Sequence, residues 1–131
     1  VEGGCYCLGF ELALACDLRI AGEDAQFGFP DTILPVSYRL ASVLLTRMTN
    51  VGVGLELLLT GELMDAQKML QIRLVSRVTP TGEALAQAVE TVQDMARRFG
   101  TADAFRKQQL WQFSGLPPVT AMNMARSAVT A

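Results

Sequence analysis

Gly3-Gly4-Cys5-Tyr6-Cys7-Leu8-Gly9-Phe10-Glu11-Leu12-Ala13-Leu14-Ala15-Cys16-Asp17 is the stretch whose reading decides the fold. Three glycines fall within its first seven residues, and an apolar run rich in Leu and Ala, both strong helix formers, follows. Glycine admits close backbone approach and positive φ. The pattern therefore predicts a strand end and turn over 1–8 feeding a helix over 9–16. The first amides of a helix lack intrahelical acceptors and lie at the positive end of its dipole. They can hold an anion, or an oxygen that becomes one. Glu11 falls in the first turn of the predicted helix, beside those donors. Donors next to a carboxylate point to acid/base chemistry on a polarised carbonyl.

The 131 residues, half of them hydrophobic, suffice for one domain with a buried core. The chain opens on Val1 rather than Met and its first motif begins at once. It reads as a piece of a longer protein whose N-terminal part lies outside it. No apolar run reaches the roughly 20 residues that a bilayer-spanning helix needs. A net charge of −2 gives no general attraction for nucleic acid or acidic membranes, so neither is an expected partner. Histidine is absent, which removes Ser-His-Asp and Cys-His sites and histidine metal ligands from this segment. Cys5, Cys7 and Cys16 do not complete a four-ligand zinc set, and no metal is expected. They read as free thiols acting as small buried hydrophobes, with a Cys5–Cys7 redox pair as the alternative. Unpaired thiols fit a reducing compartment: the cytoplasm, or the mitochondrial matrix in a eukaryote.

Along the chain, short strands are expected over 18–21 and 26–29, separated by a turn at Gly22-Glu23-Asp24 and ended by Pro30. Asp31-Thr32 can cap a helical turn. A helix over 36–48 carries Leu40, Val43, Leu44 and Arg47 at helical spacing. Asn50 caps a helix over 51–59 that Thr60-Gly61 closes, and Asp65 caps another over 66–71. Leu74 to Val78 reads as a strand. The clearest period runs from Ala84 to Phe99, with Leu85, Ala88, Val89, Val92, Met95, Ala96 and Phe99 on one face, as core or subunit interface. Thr101 caps a helix over 102–113, and a last helix follows Pro117-Pro118.

The ordered series Val1-Glu2-Gly3, Glu11 to Ala21 and Ala25-Gln26-Phe27-Gly28-Phe29-Pro30-Asp31 resembles the crotonase (enoyl-CoA hydratase/isomerase) superfamily. Glu56 to Gly61 and Leu74 to Val78 are similar to its later landmarks. The resemblance implies an α/β fold: the second half of a crotonase-like ββα superhelix over 1–80, then an all-helical trimerisation region over 81–131, with the N-terminal half of the fold absent. It implies an acyl-CoA thioester as substrate and no cofactor apart from that coenzyme A. The expected assembly is a homotrimer or a dimer of trimers. Two backbone amides hold the thioester oxygen as it becomes an enolate; the one in this half maps onto Leu8. The catalytic carboxylates map onto Glu11 and Asp31, and Cys7, Gly9, Pro30 and Tyr38 border the substrate. Enoyl-CoA hydration is the expected reaction. Isomerisation, decarboxylation, thioester hydrolysis or non-catalytic acyl-CoA binding are the alternatives.

Four positions depart from the family pattern. Leu8 stands where glycine is usual, so its amide is kept while its side chain crowds the thioester, and a positive φ there would be strained. Asp31 stands for the usual glutamate and is one methylene shorter; as a residue after proline it also reads as a helix cap. Pro35 to Arg39 replaces a glycine-rich segment, with Tyr38 filling part of the acyl pocket. Arg73 occupies a helix-end glycine position where αL backbone strains a side chain. Lys107 and Arg97-Arg98 read as solvated cations, although C-terminal helices of this family can help to bind CoA phosphates.

Overall fold

The computed structural model describes residues 1–30, 38–98 and 100–128. Strand β1 (Gly4–Tyr6) passes into helix α1 (Cys7–Ala15) with no residue between them. α1 thus begins two residues earlier than the glycine pattern suggests, and Glu11 lies in its second turn rather than its first. The left-handed residue at this junction is Cys7, with φ 53°, and not Leu8.

Among the described residues two small sheets carry the strands. β1 pairs in parallel with β3 (Gln26–Gly28), Tyr6 opposite Gly28, and β3 pairs antiparallel with the two-residue β4 (Met64–Asp65). β2 (Ile20–Gly22) pairs in parallel with β5 (Arg77–Thr79). The expected strand over 74–78 is therefore displaced. Leu74 and Val75 are fully buried outside any strand, their amides both donating to the Met69 carbonyl.

The remaining elements are α2 (Arg39–Met48), α3 (Val51–Thr60), α4 (Ala66–Gln71), α5 (Ala84–Arg98), α6 (Thr101–Phe113) and α7 (Pro118–Ala128). Their ends follow local chemistry. Asn50 Oδ1 accepts from Val53 N at 3.0 Å and Asp65 Oδ1 from Lys68 N at 2.7 Å, each an N-cap. Gly61 closes α3 in the αL region at φ 68°. The cap of α6 is Gly100 rather than Thr101; with no side chain to offer, its amide donates instead to Asp103 Oδ2 at 2.8 Å.

The chain divides into two compact units, Val1–Gln93 and Asp94–Ala131. The core of the first is Phe10, Leu14, Phe27, Phe29, Leu45, Leu57, Met69, Leu74 and Val75, all fully buried. α2 faces this core with Ala41 and Leu45, whereas Leu40 and Val43 are exposed, a rotation from the stripe the sequence suggests. α5 buries Ala84 alone, and Leu85, Val89 and Val92 lie open. In the second unit Arg97 and Arg98 pair with Asp94 at the surface, and all three side chains remain largely exposed.

One buried charge orders the first unit. Arg19, 6% exposed, donates from Nε to the Leu74 carbonyl and from Nη1 to the carbonyls of Ala13 (3.1 Å), Leu14 and Cys16. It satisfies the carbonyls of Leu14 and of Cys16, the C-cap of α1, and shares that of Ala13 with the Cys16 amide, where a cation also meets the negative end of the dipole. Each hydrogen bond to a charged group contributes about 1.5–3 kcal/mol.

The N-terminus of α5 is held from across the chain. Glu2 accepts from Gly82 N at 3.2 Å and from Ala84 N at 2.7 Å. These backbone bonds hold the Glu2 carboxyl below its ordinary value of 4.5. A depressed acid contributes stability above its ordinary pKa and loses it as pH falls through the folded value. Glu2→Gln is expected to flatten the loss of stability below about pH 4.5, read by urea midpoints across pH; an unchanged slope contradicts this. Arg73 sits at φ 64°, the αL position its place in the sequence suggests. Arg73→Gly is expected to stabilise the fold by about 1 kcal/mol, seen as a higher urea midpoint with an unchanged m-value.

Candidate functional site

The site is built from the carboxyl ends of two neighbouring strands. β1 and β3 run parallel and finish level, so Cys7-Leu8 and Phe29-Pro30 leave the sheet from one edge. Adjacent strands lie about 4.8 Å apart. Open α/β sheets gather ligands beyond this end of their strands.

Leu8 is the second residue of α1, and its amide is among the first-turn donors without an intrahelical acceptor. Tyr6, the N-cap, supplies no side-chain hydrogen bond to them. The Leu8 side chain projects into solvent, 71% exposed. Gly9 follows with open space where a Cβ would stand. Cys7 is half-buried, and its left-handed backbone aims the turn, a strain of about 1–3 kcal/mol of the kind that gathers at functional sites. Of the three thiols only Cys5 is buried, and burial pushes it up from its ordinary value; Cys16 is exposed, contrary to the expectation of buried thiols.

Glu11 lies three residues after Leu8, a neighbour on the helix surface. Its Oε1 accepts from Ala41 N at 2.9 Å, joining α1 to the first turn of α2. Tyr38, just before α2, sets its ring 4.6 Å from Phe29, and Phe29 lies 5.1 Å from Phe10 of α1. A row of rings thus links α1, the residue after β3 and the start of α2, in the range of favourable aromatic pairs. Pro30 is exposed at the strand exit. Asp31 lies outside the described residues. The structure accordingly places Cys7, Leu8 and Gly9 in the first turn of α1 and Glu11 in its second, with Tyr38 against the aromatic row. Among the described residues no cluster of three His, Cys, Asp or Glu side chains could hold a metal ion.

Two participants are invisible in the sequence: the Ala41 amide, which is backbone, and Phe29, whose alternate-residue spacing with Phe27 marks only a buried strand.

The enoyl-CoA hydratase/isomerase family model matches residues 1–125. A putative enoyl-CoA hydratase of Thermus thermophilus is 33% identical over 116 residues, which cover 88% of this chain and 46% of that protein. The 2,3-dehydroadipyl-CoA hydratase of Escherichia coli is 35% identical over 113 residues, covering 86% and 44%. Among solved structures, an enoyl-CoA hydratase subunit from Geobacillus kaustophilus superposes with a TM-score of 0.89 at 30% identity, over 97% of this chain and 50% of that one. A putative enoyl-CoA hydratase from Thermobifida fusca in complex with CoA gives 0.86 at 30%, over 99% and 51%. The chain spans about half the length of the curated relatives it matches.

The strain at the helix start is measurable. Cys7→Gly is expected to raise stability by about 1 kcal/mol, because glycine meets positive φ without a Cβ penalty. Denaturant unfolding checks it, and a destabilised variant would contradict the reading.

Proposed function

Since the chain belongs to the enoyl-CoA hydratase/isomerase family, the crotonase superfamily, and corresponds to the C-terminal half of its fold, we propose that the protein adds water to a trans-2-enoyl-CoA. The observation that carries this reading is the succession along α1 of an uncapped first-turn amide at Leu8 and, three residues on, the carboxylate of Glu11.

The chemistry follows from where charge develops. Water forms a C–O bond at the β carbon as Glu11 takes one of its protons. The π pair of the double bond moves to the thioester oxygen, making an enolate. The Leu8 amide stabilises that oxygen, and removal of one such donor costs about 3 kcal/mol in comparable sites. Protonation of the α carbon restores the thioester, with Asp31 as the second carboxylate sharing the proton traffic. Two carboxylates close to one substrate divide base and acid roles because their environments separate their pKa values. Cys7, Gly9, Pro30 and Tyr38 border the acyl group. Coenzyme A arrives as part of the substrate, and no other cofactor is required.

The exposed stripe Leu85, Val89 and Val92 on α5 suits a subunit interface, and a homotrimer or dimer of trimers is the proposed assembly. Among the described residues no helix is long and apolar enough to cross a membrane. A reducing compartment, the cytoplasm or the mitochondrial matrix, is proposed from the three thiols.

The exposed Leu8 side chain above the turn supports a second reading, in which the same enolate serves isomerisation, decarboxylation or thioester hydrolysis, or acyl-CoA is bound without turnover. One assay separates these. Crotonyl-CoA given to the intact protein should lose its conjugated enoyl absorbance, and Glu11→Ala should slow this a hundredfold or more, about 3 kcal/mol, with CoA binding intact. An isomer or free CoA as product points to the other enolate reactions. Binding without turnover points to the non-catalytic reading.

A further inference from the structure

The amide ladder inside α2 begins with Ser42 N donating to the Tyr38 carbonyl at 3.0 Å, so Ala41 carries the last amide of that helix without an intrahelical acceptor. Tyr38 occupies the N-cap with ψ 70°, away from the extended backbone of a usual cap, and its side chain gives no capping bond. α2 also has no acidic residue in its own first turn. The missing acceptor comes from another helix, thirty positions away in sequence: Glu11 Oε1.

We propose that the N-terminus of α2 is the seat of the Glu11 carboxylate, in which the Ala41 amide fixes Oε1 and leaves Oε2 as the oxygen that exchanges protons with substrate. This rests on the hydratase reading above. The Ala41 N–H occupies one lone pair of Oε1 and draws on its charge, so Oε2 is the better acceptor for a proton taken from water. The Phe10–Phe29–Tyr38 row holds the start of α2 against α1 and keeps the seat in register with the Leu8 amide. Ala41 is thus a positioning residue that acts through Glu11, and α2 belongs to the reaction machinery although none of its side chains reacts.

The test uses Glu11→Gln and Glu11→Ala in the intact protein. Glutamine keeps an oxygen for the Ala41 amide and alanine does not. Amide hydrogen exchange in the first turns of α2 should therefore be about tenfold faster in Glu11→Ala than in Glu11→Gln, the usual effect of a lost cap. Both variants should lose crotonyl-CoA hydration. Sodium formate, compared with equal sodium chloride, should occupy the emptied seat in Glu11→Ala and raise kcat tenfold or more with KM for crotonyl-CoA unchanged. Glu11→Gln, its seat filled, should not respond. Equal exchange in the two variants, or a formate response in neither or in both alike, overturns the seat. Parental turnover in both variants takes Glu11 out of the reaction, and the seat with it, whereas no turnover of crotonyl-CoA by the unaltered protein overturns the hydratase reading and leaves the exchange comparison as the test of the seat.

Discussion

Phe10 fixes everything that matters about α1. The residue is fully buried, with its ring 5.6 Å from Phe27 and 5.1 Å from Phe29. Burying such a ring yields about 1.5–3 kcal/mol, which the helix keeps in only one rotation about its axis. That rotation turns Leu8 outward and sets Glu11 against α2. The Cys7 backbone and the Arg19 guanidinium secure the two ends of the same helix, one by a strained start and the other by satisfying carbonyls at its finish. The site is a consequence of core packing beneath it.

The sequence shows the glycine turn, the apolar helix and the caps at Asn50 and Asp65 because these signals are local. It misplaces the start of α1 because Cys7 and Leu8 look like turn residues when only glycine is expected to take positive φ. The buried face of α2 is misread for a different reason. Small Ala41 is enclosed beside α1, while the larger Leu40 and Val43 are left outside, so size misleads as a guide to burial. Strands of two or three residues are too short for alternation to define their edges. Arg19 reads as an ordinary strand arginine, since its carbonyl partners gather only in three dimensions. Within the site, Glu11 stands out as a carboxylate near the start of an apolar helix and Leu8 only through the family resemblance, whereas the Ala41 amide and the ring row depend on helix packing.

α1 is apolar on nearly every side, yet Leu8 and Leu12 are 71% and 69% exposed. A helix apolar all round belongs in an interior. α3 leaves Val51, Leu55 and Leu59 open at intervals of four, and α5 has a similar stripe. These faces accord with a chain that spans about half the length of its relatives. Under the proposed chemistry the chain carries the enolate-binding amide of α1 and its neighbouring acid, on a core that is closed beneath them.

The most direct measurement is the structure of the intact protein bound to a saturated acyl-CoA, which can occupy the site but cannot be hydrated. The account predicts the thioester oxygen about 2.7–3.1 Å from the Leu8 amide nitrogen, with the β carbon facing the free oxygen of Glu11. An acyl group seated elsewhere, or a Leu8 side chain closing the approach to its own amide, would contradict it.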